Sequence, residues 1–136
     1  MILVDTNVIL DVIEDDPRWA EWSQGQLDAA AIRYRLAINP VIYAELSVAY
    51  ARIEELEAMI AQAGFTVAPI PREALFLAGK VFKNYRRQGG AKTGVLPDFF
   101  IGAHAAVAGV PLLTRDVTRY RACFPNLVLI SPPSGR

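Results

Sequence analysis

Histidine and cysteine each occur once in this 136-residue sequence, as His104 and Cys123. One of each cannot build a Cys/His zinc site. A lone thiol cannot close an internal disulfide, which fits a reducing cytoplasm. Net charge is absent too, because 14 Lys and Arg balance 14 Asp and Glu. No uninterrupted apolar stretch is long enough to span a bilayer, and no basic-then-apolar leader opens the chain. Internal repeats and low-complexity segments are missing. What remains is one domain over residues 1–131 with a short Pro/Ser/Gly-rich tail at 132–136, expected to fray.

Apolar residues are plentiful: 53% of the chain is hydrophobic and the mean hydropathy is +0.25. That excess predicts a buried core plus an apolar face for a partner. The neutral total also hides a split. Residues 1–71 hold 4 Lys/Arg and 11 Asp/Glu, a sum of −7, and residues 72–136 hold 10 and 3, a sum of +7. Such a split permits a basic face on a neutral protein.

The apolar runs are short and alternate with helical patterns. Ile2-Leu3-Val4 reads as a strand buried on both faces, closed by Asp5, with Thr6 and Asn7 placed to cap a helix over Val8–Glu14. Asp16 and Pro17 are the expected N-cap and first residue of a second helix through Trp19, Trp22 and Leu27. Strand Leu36–Ile38 leads into Asn39-Pro40, which repeats the cap-plus-proline signal for a helix carrying Glu45. A further helix runs from about Arg52 to Gly64, followed by a strand over Phe65–Ala68. Arg72 to Gln88 is predicted helical, with Leu75, Ala78, Phe82 and Tyr85 as its apolar stripe. After Gly89-Gly90 and a polar loop, Pro97 begins a helix that ends at Gly109. Val110–Thr114 and Leu127–Ile130 are the last strands, with a short helix at Arg119–Cys123 between them. Strands alternating with helices predict an α/β fold, a parallel sheet covered on both faces.

Four acids stand out by context. Asp5 and Asp116 follow apolar strands at their carboxyl ends, where open α/β sheets bind ligands. Asp98 lies in the first turn of a helix. Glu45 sits in a helix among Ile42, Leu46 and Val48, an awkward place for a charge without a counter-ion. A strand-end Asp is also an ordinary turn former or cap. Brought together, four carboxylates would repel one another unless a cation joined them. Mg²⁺ or Mn²⁺ accepts such hard oxygen donors, and metal-assisted phosphodiester hydrolysis follows without a histidine.

Ile-Leu-Val-Asp-Thr-Asn at 2–7, Glu45 after Asn39-Pro40, Leu-Pro-Asp-Phe-Phe-Ile-Gly-Ala-His-Ala at 96–105 and Leu-Leu-Thr-Arg-Asp at 112–116 together resemble the PIN-domain ribonucleases. Within these, the chain is similar to the VapC-type toxins of bacterial toxin–antitoxin pairs. The resemblance covers nearly the whole chain. It implies a five-stranded parallel sheet of order 3-2-1-4-5, with Asp5 and Asp116 at the switch point between strands 1 and 4. It implies metal ligation and catalysis by Asp5, Glu45, Asp98 and Asp116. It further implies an RNA substrate such as tRNA or ribosomal RNA, a homodimer, and an antitoxin that blocks the site. The additional acid that some relatives carry just beyond the fourth is absent here, since Val117 and Thr118 follow Asp116. A non-cleaving metal- or RNA-binding module of the same fold is the alternative reading. A receiver-type phosphoryl acceptor wants an Asp where the third strand ends in Ala68-Pro69.

Lys80, Lys83 and Arg87 share a helical face, with Lys92 beyond it; they are either the wet side of an amphipathic helix or a phosphate-binding rim for RNA. Arg115 would join that rim or pair locally with Asp116. Val8, Ile9, Val12, Trp19 and Trp22 supply the expected groove for an antitoxin helix, although Trp19 and Trp22 also suit the core or base stacking. His104 is six residues past Asp98, about 240° further round an ideal helix, and is expected to have no catalytic role.

Overall fold

The structure, a computed structural model, describes residues 1–90 and 96–133. Lys92 and the end of the tail lie outside the described residues. The elements run β1 (Ile2–Val4), α1 (Thr6–Ile13), α2 (Ala20–Arg33), β2 (Leu36–Ile38), α3 (Pro40–Ser47) and α4 (Ile53–Ala63). They continue as β3 (Thr66–Val67), α5 (Arg72–Arg87), α6 (Leu96–Ala108), β4 (Leu112–Leu113), α7 (Thr118–Cys123) and β5 (Leu129–Ile130). All strand pairs are parallel, as the alternation of strands and helices predicts, and the order is β3-β2-β1-β4-β5, the one that the resemblance implies.

β1 is the centre of the molecule. Successive strand residues face opposite sides of a sheet, yet Ile2, Leu3 and Val4 are all 0% exposed, so helices cover both faces. Burying three such side chains contributes roughly 1.5–3 kcal/mol each. α6 packs against α5, α3 and α7 and so joins the parts of the chain that carry the acids. Its close approach to the end of α7 depends on Gly102. A Cβ there would stand 2.5 Å from the Phe124 ring.

Several local expectations shift. Thr6 and Asn7 lie inside α1, and Asp5 itself is the N-cap, its carboxylate accepting from Thr6 N. α2 starts only at Ala20. Asp16 Oδ1 accepts from the N–H groups of Arg18 and Trp19, both at 2.9 Å, which pins a separate turn first. Trp19 then leaves the helical φ range at −117°. In α5 the inward face is Ala74 and Ala78 with half-buried Phe82 and Tyr85, whose rings meet Phe99 at 5.9 and 5.3 Å. Leu75 is 43% exposed instead, because the two small alanines rather than leucine let α5 close on α6. No helix among the described residues is long and apolar enough to cross a membrane.

Candidate active site

β1 and β4 are neighbours in register, Val4 opposite Leu113, so the residues that follow each strand emerge side by side. Asp5 N donates to Leu113 O at 2.9 Å, which seats Asp5 at the carboxyl edge of the sheet. Its Oδ2 accepts from the hydroxyls of Thr114 at 2.8 Å and Tyr120 at 3.0 Å. These donors, with Thr6 N on Oδ1, would hold an ordinary carboxyl low. Burial outweighs them and, with the charge of Asp98 adding to it, raises Asp5 to about 6.

Glu45 reaches the same place from α3, where its Oε1 accepts from Thr6 Oγ1 at 2.6 Å. Burial raises its pKa, and Asp98 contributes. Asp98 projects from the first turn of α6 and pairs with Arg119 of α7. Burial raises its pKa although Arg119 opposes the shift. Asp116 is exposed beyond β4, its backbone N–H donating to Thr114 Oγ1 at 3.2 Å. The four acids come from four segments, and all line one cavity of about 200 Å³, together with Thr6, Asn7, Arg119 and Tyr120.

Donor chemistry and charge both suit a hard divalent cation: the acids offer only oxygen, and the charge of Asp98 adds to burial in raising the pKa of both Asp5 and Glu45, a repulsion that a bound cation would relieve. The arrangement is nonetheless not a finished cage. Among the described residues no three carboxylate, imidazole or thiol groups stand close enough together to hold a metal as they are. Arg119 is paired with Asp98 there, so an ion binding Asp98 would compete with the guanidinium.

Residues outside the predicted set complete the site. Thr6, Thr114 and Tyr120 orient the carboxylates, and Arg119 is the cation among them. Tyr120 is 2% exposed and its own proton is held more tightly by burial and by Asp5. It lies in the short helix α7, and no sequence period marks it. Asp11 was also missed. It is 3% exposed within the apolar run of α1, the same pattern that marks Glu45.

Asp11 explains where Arg115 goes. Its guanidinium makes a two-pronged pair with Asp11, Nε–Oδ2 at 2.7 Å and Nη2–Oδ1 at 3.0 Å, and lies 5.5 Å from the Trp19 ring centre. Its ion-pair partner is thus Asp11 rather than Asp116, a buried carboxylate having the stronger claim on the cation. Lys80, Lys83 and Arg87 are exposed on α5, and none of the three lines the acidic cavity. His104 does not line it either; it is buried and bonded to Asn39.

The predicted groove residues divide. Val8 is 0% exposed and belongs to the core beside β1, so it offers no surface. Trp19 and Trp22 meet edge to face at 6.0 Å, next to the Asp11–Arg115 pair. Ile9 and Val12 do line a groove of about 340 Å³, with Leu27 of α2 and Met59 of α4.

Among curated proteins none matches the chain. Solved structures do. The fold matches a chain of the VapBC2 complex from Rickettsia felis bound to promoter DNA, with TM-score 0.75 and 20% identity over 98% of this chain and 100% of that one. A chain of FitAcB from Neisseria gonorrhoeae matches with TM-score 0.71 and 20% identity, 96% of each chain being covered. A toxin–antitoxin complex from Klebsiella pneumoniae gives TM-score 0.68 and 22% identity over 94% of this chain and 96% of that one. At these identities the likeness is one of fold. The family model for the PIN domain matches residues 2–125, nearly the whole of the described chain, and the chain belongs to the PIN domain family.

Proposed function

We propose that this protein is a metal-dependent endoribonuclease that acts as the toxin of a toxin–antitoxin pair. One observation carries the reading: four carboxylates from separate segments line a single cavity at the switch point of the sheet, with Asp5 pushed to about 6. Membership of the PIN family supports it, as do matches to chains of VapBC complexes. Asp5, Glu45, Asp98 and Asp116 would hold Mg²⁺, with Mn²⁺ as a substitute. That ion supplies Lewis-acid charge to the phosphate under attack.

The chain's own residues have distinct tasks. Thr114 and Tyr120 fix the Asp5 carboxylate, and Thr6 fixes Glu45, so the ligands are held before any substrate arrives. Arg119 balances Asp98 and stands at the cavity wall, where a phosphate oxygen would meet it. The exposed stripe of Lys80, Lys83 and Arg87 gives phosphates of tRNA or ribosomal RNA a place to rest without reading sequence. An antitoxin helix suits the groove lined by Ile9 and Val12. Phe76, 69% exposed on α5, suits a homodimer contact, and the working compartment is the cytoplasm.

The test is incubation of purified protein with total RNA, with Mg²⁺ or with chelator, beside an Asp5→Asn variant. Cleavage that needs both the metal and Asp5 is the expected result. Binding of RNA without cleavage would favour the non-cleaving module, and cleavage that survives chelator or Asp5→Asn would remove the mechanism.

A further inference from the structure

A second and larger cavity, of about 720 Å³, opens beside the acidic one and shares Asp116 and Arg119 with it. One wall is a single face of α5, where Val81, Asn84, Tyr85 and Gln88 fall at helical spacing. The other wall is α7, through Thr118 and Ala122. We infer that this α5–α7 cleft seats the nucleotide next to the phosphate to be cut, and that Asn84 and Gln88 select its base. The inference rests on the ribonuclease reading and names what that reading leaves open, the source of base preference.

Size separates the two cavities. The acidic one holds an ion and phosphate oxygens, whereas the cleft is in the range that encloses a small organic group such as a nucleoside. Continuity fixes what must enter. A strand with one phosphate at the acids has to place the adjoining sugar and base where Asp116 and Arg119 lead. The charge pattern agrees. Among the described lining residues, Asp116 and Arg119 at the junction are the acid and base present, and the walls beyond are neutral. Neutral walls suit a base rather than a second phosphate.

The walls also carry the right groups. Each amide side chain offers a donor and an acceptor, which is what the edge of an unpaired base requires. The Tyr85 ring is held in place on two sides. Phe99 meets it edge-on at 5.3 Å, and Gly90 packs so closely that a Cβ would stand 2.3 Å from a ring carbon. Lys80 and Arg87 lie roughly 40° and 60° beyond Asn84 on an ideal helix. They flank the cleft on its outer side, where the strand's next phosphate would leave.

Short single-stranded oligoribonucleotides with randomised sequence are the probe. Wild type, Asn84→Ala/Gln88→Ala and Asn84→Asp are compared by sequencing the cut ends, and KM and kcat are measured on one fluorescein-labelled oligomer. The same changes in an Asp5→Asn background report binding by anisotropy without cleavage. Wild type should show a base preference at one position beside the cut. The double variant should relax that preference and raise KM about tenfold with less effect on kcat, as loss of base-edge hydrogen bonds does. Asn84→Asp should move the preference toward a base that presents donors. Both positions are exposed, so melting temperatures should match wild type. A wild type without preference, or variants that keep preference and KM, would overturn the inference while the ribonuclease reading stood. A wild type that neither binds nor cuts any RNA would overturn both, and that outcome shows in the wild type alone.

Discussion

Asn39 and His104 meet side chain to side chain at 3.1 Å, and through them the helix that carries Glu45 is tied to the helix that carries Asp98. The direction of the bond follows from the cap. Asn39 Oδ1 accepts from Ile42 N at 2.9 Å, so the amide is oriented and Nδ2 faces the ring as a donor. His104 Nδ1 is therefore the acceptor and the ring is neutral, in keeping with burial lowering its pKa. The lone histidine of the chain ties the two acid-bearing helices together and does not line the acidic cavity.

Replacing Asn39 by Ala should cost about 2–3 kcal/mol, because it removes a cap and leaves a buried ring nitrogen unpaired. His104→Gln should cost about 1 kcal/mol and keep most of the cleavage. Denaturant midpoints and cleavage rates on both variants check this. A His104→Gln protein of wild-type stability with cleavage abolished would give the histidine a catalytic part.

Stability in chelator should fall as pH rises from about 4 to about 6. Asp5 is one cause, and Glu45 and Asp98, whose pKa values burial also raises, act in the same direction: the folded pKa of Asp5, about 6, lies above that of the unfolded chain, so folding favours the protonated form. Its contribution is complete below the unfolded value and is lost as pH passes the folded one. The size is roughly 3 kcal/mol. His104 works the other way, since its lowered pKa removes stability as pH falls below the unfolded value, so the two are separated by difference. Asp5→Asn should abolish the Asp5 component alone and make the protein more stable than wild type near neutrality. Thr114 and Tyr120 can turn their hydroxyls to accept from the new amide. Parallel pH curves for the two proteins would show that Asp5 is not perturbed.

The alternation of strands and helices was legible from short apolar runs, whereas the strand order came only with the resemblance to PIN-domain proteins; each of the four acids carried a local mark, an Asp at a strand end or in a first helical turn, or a Glu among apolar helix neighbours. The partners were not. Arg115 was read against its neighbour Asp116, but its two-pronged contact is with Asp11, 104 positions away in the sequence. No period or spacing encodes a cross-chain pair of that kind. Leu75 shows the same limit on a smaller scale. Hydropathy ranks leucine above alanine for a stripe, while the close packing of α5 on α6 selects Ala74 and Ala78. Val8 was assigned to a surface for want of knowing how completely α1 is covered.

Arg115→Ala should destabilise by about 2–3 kcal/mol, below the usual loss for a buried pair because Arg115 keeps 30% of its side chain exposed. Among the described residues Asp11 would keep only the Ser23 hydroxyl at 2.8 Å. Asp11→Asn with Arg115→Gln should recover much of the loss, since two neutral amides can bond without a stranded charge. Thermal melts of the single and double variants test it, and additive losses would show that the pair is not coupled.

Arg119 is the cation that the acidic cavity already contains, and its removal should act oppositely on metal and on RNA. With Arg119→Gln the carboxylate of Asp98 loses its partner, and the cavity becomes one charge more negative. Both changes favour an incoming divalent ion, so Mg²⁺ or Mn²⁺ should bind several-fold more tightly by calorimetry. RNA should bind more weakly, because a group facing the phosphate is gone, and the slope of log affinity against log salt should shrink by about 1. Tighter metal with weaker RNA is a combination that general damage to the site would not produce, since a distorted cavity loses both. Metal affinity that falls or stays unchanged in Arg119→Gln would mean that the guanidinium does not compete for Asp98.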